Sequence, residues 1–183
     1  WRMLSVGSEA PNFSLPGVEG GEFDEYSLAD ALREDLVVIA FYPADFSPTC
    51  TDELCTLQDM DLLNLDADVT LFGISGDSVY SHGRFAEEYD ITYPLLADSM
   101  GEVAAEYGVC MPDWRGHRNV PKRSVFVIDE RQRVRYAWST DEQSVLPDVG
   151  EVRAAIDDVR DDRTAVQRYA RGHEHLGAGR DRF

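Results

Sequence analysis

The sequence predicts an α/β fold of three layers, with helices on both faces of a mainly parallel central sheet. Residues 36–42, 69–75 and 124–129 are runs of β-branched and aromatic side chains, which are typical of strands buried on both faces. Segments with a helical spacing of apolar residues alternate with these runs. Because strands joined through helices need crossover connections, the sheet should be mainly parallel.

The other elements follow in chain order. Residues 12–26 alternate short apolar pieces with glycines, which predicts an N-terminal surface hairpin. A helix is expected after residues 36–42, because several apolar residues lie there among acidic ones: Leu54, Leu57, Met60, Leu62 and Leu63. Two more helices, a strand and a closing helix are expected at residues 79–89, 102–107, 134–138 and 149–159.

The chain length indicates one domain followed by a tail. A length of 183 residues suits a single α/β domain, and we expect it to span residues 4–162. Beyond about Arg163 the apolar pattern thins into glycines and scattered arginines. Residues 163–183 are therefore expected to form a C-terminal tail that is partly ordered or flexible.

The net charge of the chain limits which partners and which host are expected. The chain has 35 acidic and 17 basic residues, with a formal net charge of -18, so its surface should repel nucleic acid. Such a charge suits concentrated salt, where self-repulsion is screened, and it predicts a halophilic host, with an acidic mesophilic protein as the alternative. The sequence contains neither a long apolar run nor a signal-peptide pattern, so we expect no membrane contact and a cytoplasmic location.

Three cysteines narrow the chemistry. An odd count is wrong for a secreted disulfide framework, and the close pair Cys50 and Cys55 indicates redox chemistry or a metal. Four residues between the two cysteines is unusual for zinc, and Cys110 does not complete a second pair. We therefore predict no metal and no cofactor, and we expect Cys110 to be an ordinary thiol.

Cys50 lies where a predicted strand ends and a helix begins. A cysteine in the first turn of a helix is close to unpaired N–H groups and to the positive end of the helix dipole. Both stabilise a thiolate relative to a thiol, and the thiolate is the nucleophile. Cys55 follows five residues later, roughly 140° around an intact helix and about 7.5 Å along it. A disulfide between them would thus require the first turns of the helix to unwind.

The residues around Cys50 resemble a known family. Pro43, Ser47 and Cys50 match the Pro-x-x-x-Thr/Ser-x-x-Cys signature of peroxiredoxins, and Cys50-Thr51-x-Glu53-x-Cys55 is similar to the bacterioferritin-comigratory, or Q-type, branch. The likeness extends from about Gly7 to Val159. It implies a thioredoxin-like fold and a peroxidase that reduces hydrogen peroxide and organic hydroperoxides and is recycled by a thioredoxin-like reductant.

The resemblance also implies roles for single residues. Cys50 would be oxidised by peroxide to a sulfenic acid, and Cys55 would resolve it as an intramolecular disulfide. Ser47 would bind the peroxide through its hydroxyl, and Pro43 would shield the sulfenate from water. No cysteine follows Cys110, so an intersubunit disulfide from the tail is not expected, and we predict a monomer or small homodimer.

An arginine should complete the site. Arg123 precedes the buried run 124–129, as the arginine of the family precedes a late strand, and Glu53 would orient it. A guanidinium beside Cys50 would stabilise both the thiolate and the developing oxyanion. Arg115 and Arg118 are alternatives on a nearby loop.

Two other functions remain open at this point. A thiol–disulfide oxidoreductase would share the fold but needs Cys-x-x-Cys, so that its disulfide closes without unwinding. A redox sensor or holdase would use the same Cys50 chemistry to expose apolar surface to a partner. No motif surrounds His82 or His117, and His173 and His175 are expected to have no ligand.

Overall fold

A computed structural model describes residues 2–59 and 68–177, with side chains described as far as Gln167. The strands are β1 (Ser14–Glu19), β2 (Glu22–Ser27), β3 (Leu36–Phe41), β4 (Val69–Ser75), β5 (Leu95–Ala97), β6 (Cys110–Trp114), β7 (His117–Pro121), β8 (Ser124–Ile128) and β9 (Val134–Ser139). The helices are α1 (Leu28–Ala31), α2 (Pro48–Asp59), α3 (Val79–Glu88), α4 (Glu102–Glu106) and α5 (Val149–Gly177).

Seven strands form one sheet in the order β2-β1-β5-β4-β3-β8-β9. Its centre is parallel, since β4 pairs in parallel with both β3 and β5. The flanking pairs are antiparallel, including β8 against β3 and β9 against β8. The predicted parallel sheet is therefore found at the centre. An apolar run reveals that a strand is buried on both faces, but it carries no information about direction.

Helices cover both faces of the sheet, which confirms the three layers. Every residue of β3 is buried, and successive side chains point to opposite faces. One face packs on residues of α2, α3 and α5, including Leu54, Phe85 and Ile156. The other face packs on α1 and α4, including Leu28 and Ala104. Both layers are apolar, so the carboxyl end of β3 is held from two sides.

The predicted hairpins at both ends of the sheet are present. β1 and β2 pair through a turn at Gly20 and Gly21, both of which have positive φ angles that glycine adopts without strain. β9 pairs with β8 as expected. No helix within the described ranges is long and apolar enough to cross a membrane.

The structure differs from the sequence prediction at the segment before Arg123. The segment that carries Arg115 and Arg118 was expected to be a loop, but β6 and β7 form a separate two-stranded sheet there. Arg115 and Gly116 make its turn with φ angles of 55° and 84°, the left-handed values of a two-residue hairpin loop. The loop prediction was wrong because the strands lack a clear alternation of apolar and polar residues.

Two predictions concern where helices end, one for the helix after β3 and one for α5. Met60, Leu62 and Leu63, which were assigned to the helix after β3, lie outside the described residues. The backbone of α5 is helical as far as Gly177, so the boundary predicted at residue 162 falls inside this helix. The division into a domain and a tail stays a prediction.

Candidate active site

Cys50 lies in the first turn of α2, directly after the loop that leaves β3. The helix begins at Pro48, where a missing N–H has no cost because the first helical donors are unpaired anyway. The Ser47 carbonyl accepts the Thr51 backbone N–H at 2.9 Å and the Thr51 hydroxyl at 3.0 Å. Cys50 has no exposed surface. Its sulfur is therefore held in a water-poor site next to the unpaired N–H groups of a helix.

Arg123 supplies a positive charge to this sulfur. It lies between β7 and β8 and is 1% exposed, and its Nη2 is 3.4 Å from the Cys50 Sγ. Its Nη1 donates to the Glu53 Oε2. Cys50 and Glu53 are three residues apart on α2, which places them on one face of the helix. One guanidinium thus contacts both side chains.

Gln143 fixes Arg123 from the opposite side. Its carbonyl oxygen accepts from Nε and Nη2 of Arg123, at 3.1 and 2.9 Å, and its side-chain oxygen accepts the Arg123 backbone N–H at 2.7 Å. The Gln143 amide in turn donates to the Thr140 carbonyl at 2.7 Å. Sequence reasoning missed Gln143, because a glutamine in a loop carries no pattern that marks it.

Burial and charge oppose each other in the Arg123–Glu53 pair. Burial raises the pKa of Glu53 to about 7, although the Arg123 charge and hydrogen bond act to lower it. The Oε1 atom of Glu53 is buried and has no hydrogen-bond partner among the described residues, as suits a group that resists ionisation. Burial acts to lower the pKa of Arg123. The negative charges of Glu53 and Cys50 outweigh the effect of burial, so the pKa of Arg123 is raised. Arg123 is therefore a permanent cation beside Cys50.

Cys55 lies on the same helix but in a different setting. It is half-buried, and its thiol and that of Cys50 are both free. Burial, together with the charges of Asp59 and Asp52, raises the pKa of Cys55. The carbonyl of the neighbouring Leu54 accepts the Tyr93 hydroxyl at 2.9 Å. Cys55 is thus kept as a thiol, on a helix that is intact and tied to its surroundings.

The loop before Cys50 is bent. Pro43 is buried and Ser47 is half-buried. Phe46 has a φ of 60°, a left-handed value that costs a bulky side chain on the order of 1–3 kcal/mol. Its ring packs on Phe85 and Tyr89, with centroids 5.0 and 6.4 Å away. The contacts of the loop must therefore outweigh this backbone strain.

The structure separates the three candidate arginines. Arg115 lies in the exposed turn of the β6–β7 hairpin and Arg118 is exposed on β7, whereas Arg123 touches the Cys50 sulfur. Arg115 instead packs over the Trp114 ring at 5.2 Å.

Cys110 is half-buried on β6, and burial and the Asp98 charge raise its pKa.

Comparison with known proteins identifies the family. A family model described as the AhpC/TSA family matches residues 6–137. The chain belongs to the AhpC/TSA family. Peroxiredoxin Bcp of Bacillus subtilis is 30% identical over 141 residues, which cover 74% of this chain and 85% of that protein. The chloroplastic peroxiredoxin Q of Triticum aestivum is 35% identical over 136 residues, which cover 74% of this chain and 59% of that protein. The predicted peroxiredoxin family and its Bcp/Q-type relatives are confirmed.

The solved structures support the same fold. The crystal structure of peroxidoxin BcpB from Mycobacterium tuberculosis is 30% identical and has a TM-score of 0.71, with 87% of this chain and 98% of that chain covered. The thioredoxin-like fold predicted from the resemblance is confirmed. Cys50, Glu53 and Arg123 lie inside the residues matched to the AhpC/TSA family, whereas Gln143 lies beyond them.

Proposed function

We propose that this chain is a thiol-dependent peroxidase that reduces hydrogen peroxide and organic hydroperoxides with the Cys50 thiolate. The observation that carries the proposal is the Arg123 guanidinium, whose Nη2 is 3.4 Å from the Cys50 sulfur in a buried site. A fixed cation in such a site stabilises a thiolate and a developing oxyanion more strongly than it would in water. Membership of the AhpC/TSA family supports the same chemistry.

In the first step the Cys50 thiolate attacks one oxygen of the peroxide. An S–O bond forms as the O–O bond breaks, so that sulfur is oxidised to a sulfenic acid and the other oxygen leaves as hydroxide or alkoxide and takes a proton. Arg123 faces the sulfur where this negative charge develops. Ser47 would donate its hydroxyl to the bound peroxide, and Pro43, which is buried, would keep water from the sulfenic acid.

In the second step Cys55 resolves the sulfenic acid. Its sulfur bonds to that of Cys50, and the sulfenic oxygen leaves as water. Since both cysteines lie on α2, their Cα atoms must approach to within about 7 Å, which requires the first turns of the helix to unwind. A thioredoxin-like dithiol then reduces the disulfide by thiol–disulfide exchange and is itself oxidised.

Three properties of the enzyme rest on the sequence. The low cysteine count supports a cytoplasmic location, and the net charge of -18 supports a halophilic host that offers concentrated salt. We also expect a monomer or small homodimer. All three stay predictions.

Replacing Cys55 separates the two steps. In Cys55→Ser the Cys50–Arg123 contact is kept, so the variant should consume one equivalent of peroxide at the wild-type rate. Recycling by a dithiol reductant should then fail, because no intramolecular disulfide is available to it. Stopped-flow oxidation followed by a steady-state assay with added dithiol measures both steps.

Cys110→Ser is the matched control, and it should oxidise and recycle normally. Normal recycling in Cys55→Ser would assign the resolving thiol to Cys110 or to an external thiol. Multiple turnover in the wild type with the same dithiol also separates an enzyme from a sensor, which would react once without recycling.

A further inference from the structure

A buried contact between His82 and Asp45 joins α3 to the loop that leads to Cys50. His82 on α3 has no exposed surface, and Asp45 lies in the loop between β3 and α2 with 2% of its side chain exposed. The Nδ1 of His82 is 2.9 Å from the Oδ2 of Asp45. Neither side chain has a part in the peroxidase chemistry described so far. The burial of two polar side chains in contact therefore needs another explanation.

Both ring nitrogens of His82 face hydrogen-bond acceptors. Nε2 is 3.1 Å from the carbonyl oxygen of Leu96, and Nδ1 is 2.9 and 3.1 Å from the two carboxylate oxygens of Asp45. A carbonyl oxygen only accepts, so Nε2 carries a proton. Nδ1 also lies 3.3 Å from the Tyr42 hydroxyl, which itself donates to Asp45. His82 and Asp45 therefore form a hydrogen-bonded pair that is shielded from water, and both ring nitrogens of His82 have a partner.

Asp45 is also bound by three further groups from different parts of the fold. The hydroxyl of Tyr42, at the end of β3, donates to Oδ1 at 2.7 Å, and the hydroxyl of Ser81 on α3 donates to Oδ2 at 2.7 Å. The backbone N–H of Asp45 donates to Asp77, after β4, at 2.7 Å. Together with His82, these contacts bind one loop residue to two strand ends and one helix.

The residues after Asp45 depend on this anchor. Phe46 follows with its left-handed φ of 60°, and Ser47 then begins α2 by accepting from Thr51. A strained bend of this kind persists only when its surroundings hold it in place. The side chains of Asp45 and Phe46 both attach the loop to α3, through His82 and through Phe85.

We propose that His82 and Asp45 are positioning residues for the reaction of Cys50 with peroxide. Their contact holds residues 43–47 in the bent conformation, so that Pro43 and the Ser47 hydroxyl keep the orientation that peroxide requires. The inference rests on the proposed peroxidase function and adds to it, since neither residue touches peroxide. Misplacing groups that orient a substrate lowers its reaction rate even when the nucleophile is intact.

The test compares two reagents for the same sulfur. In His82→Gln the contact of the imidazole with Asp45 is lost, and the second-order rate of Cys50 oxidation by hydrogen peroxide should fall by about 10-fold or more. Alkylation of Cys50 by iodoacetamide requires the thiolate but no oriented peroxide, so it should stay within about twofold of the wild type. His117→Gln is the matched control, because His117 is exposed on β7, and both of its rates should be unchanged.

Two results would overturn the proposal: an unchanged peroxide rate, or an equal loss of both rates, which would mean that the pair acts on the thiolate. If His82→Gln does not fold, Ser81→Ala removes one hydrogen bond to Asp45 and should give a smaller but still selective loss of the peroxide rate. A wild-type protein that does not react with peroxide would instead contradict the proposed function.

Discussion

Cys50→Ser should lose peroxide consumption altogether, with a rate constant at least about 10³-fold below that of the wild type. The reason is that a serine hydroxyl ionises far less readily than a thiol, whereas the cysteine reacts as a thiolate. The measurement is stopped-flow peroxide consumption with excess dithiol. Because serine is close in size to cysteine, the fully buried site should stay packed and the variant should fold.

Cys110→Ser is the matched control for this variant as well, since it removes a half-buried thiol on β6. It should consume peroxide at the wild-type rate. Turnover retained in Cys50→Ser would assign the nucleophile to another group and would refute the proposed mechanism.

Arg123→Met should damage both activity and stability. The peroxide rate should fall by about 10²-fold or more, because the cation that faces the sulfur is gone. The free energy of unfolding should fall by about 3–5 kcal/mol, since Glu53 would lose the partner of a buried ion pair. Urea unfolding and stopped-flow oxidation measure the two effects on one protein preparation.

The double variant Arg123→Met with Glu53→Leu separates these effects. Replacing both members of a buried pair by apolar side chains is often neutral for stability, so the double variant should regain most of the lost unfolding free energy. Its peroxide rate should stay low, because no cation has returned. Recovery of activity with stability would mean that Arg123 acts only through the fold.

The loss of unfolding free energy in Arg123→Met should depend on pH in a definite direction. The folded-state pKa of Glu53, about 7, exceeds its ordinary value of 4.5, so the folded protein binds this proton more tightly than the unfolded chain. Its contribution to stability therefore falls as the pH rises from about 4.5 to 7. Arg123 lowers the pKa of Glu53. Without Arg123, the loss of stability with rising pH should therefore continue to higher pH. Arg123→Met should accordingly be less destabilised at pH 5 than at pH 8.

The central part of the site could be predicted from sequence because the short stretch around Cys50 resembles the peroxiredoxin signature, and that resemblance implies the roles of its residues. The spacing of Cys50, Glu53 and Cys55 is that of one helix, and the strand before it and the strand after Arg123 are both continuous apolar runs. The fold then brings Cys50, Glu53 and Arg123 into contact. The chemical roles of these residues stay predictions until the variants are measured.

The remaining contacts could not be predicted because they depend on tertiary structure. Gln143 meets Arg123 across 20 positions of sequence, and His82 meets Asp45 across 37. Neither pair has a spacing that a single helix or strand would produce. The β6–β7 hairpin had a weak signal in Gly116, which permits its left-handed turn, whereas the three residues of β5 were too few to show a pattern.

In the proposed mechanism, peroxide oxidises Cys50 and Cys55 closes a disulfide with it. The most direct test mixes the reduced protein in concentrated salt with one equivalent of hydrogen peroxide, quenches within seconds and maps the cysteines by mass spectrometry. The proposed mechanism predicts a Cys50–Cys55 disulfide, with Cys110 still a free thiol. Free thiols at both Cys50 and Cys55 after this treatment would contradict it.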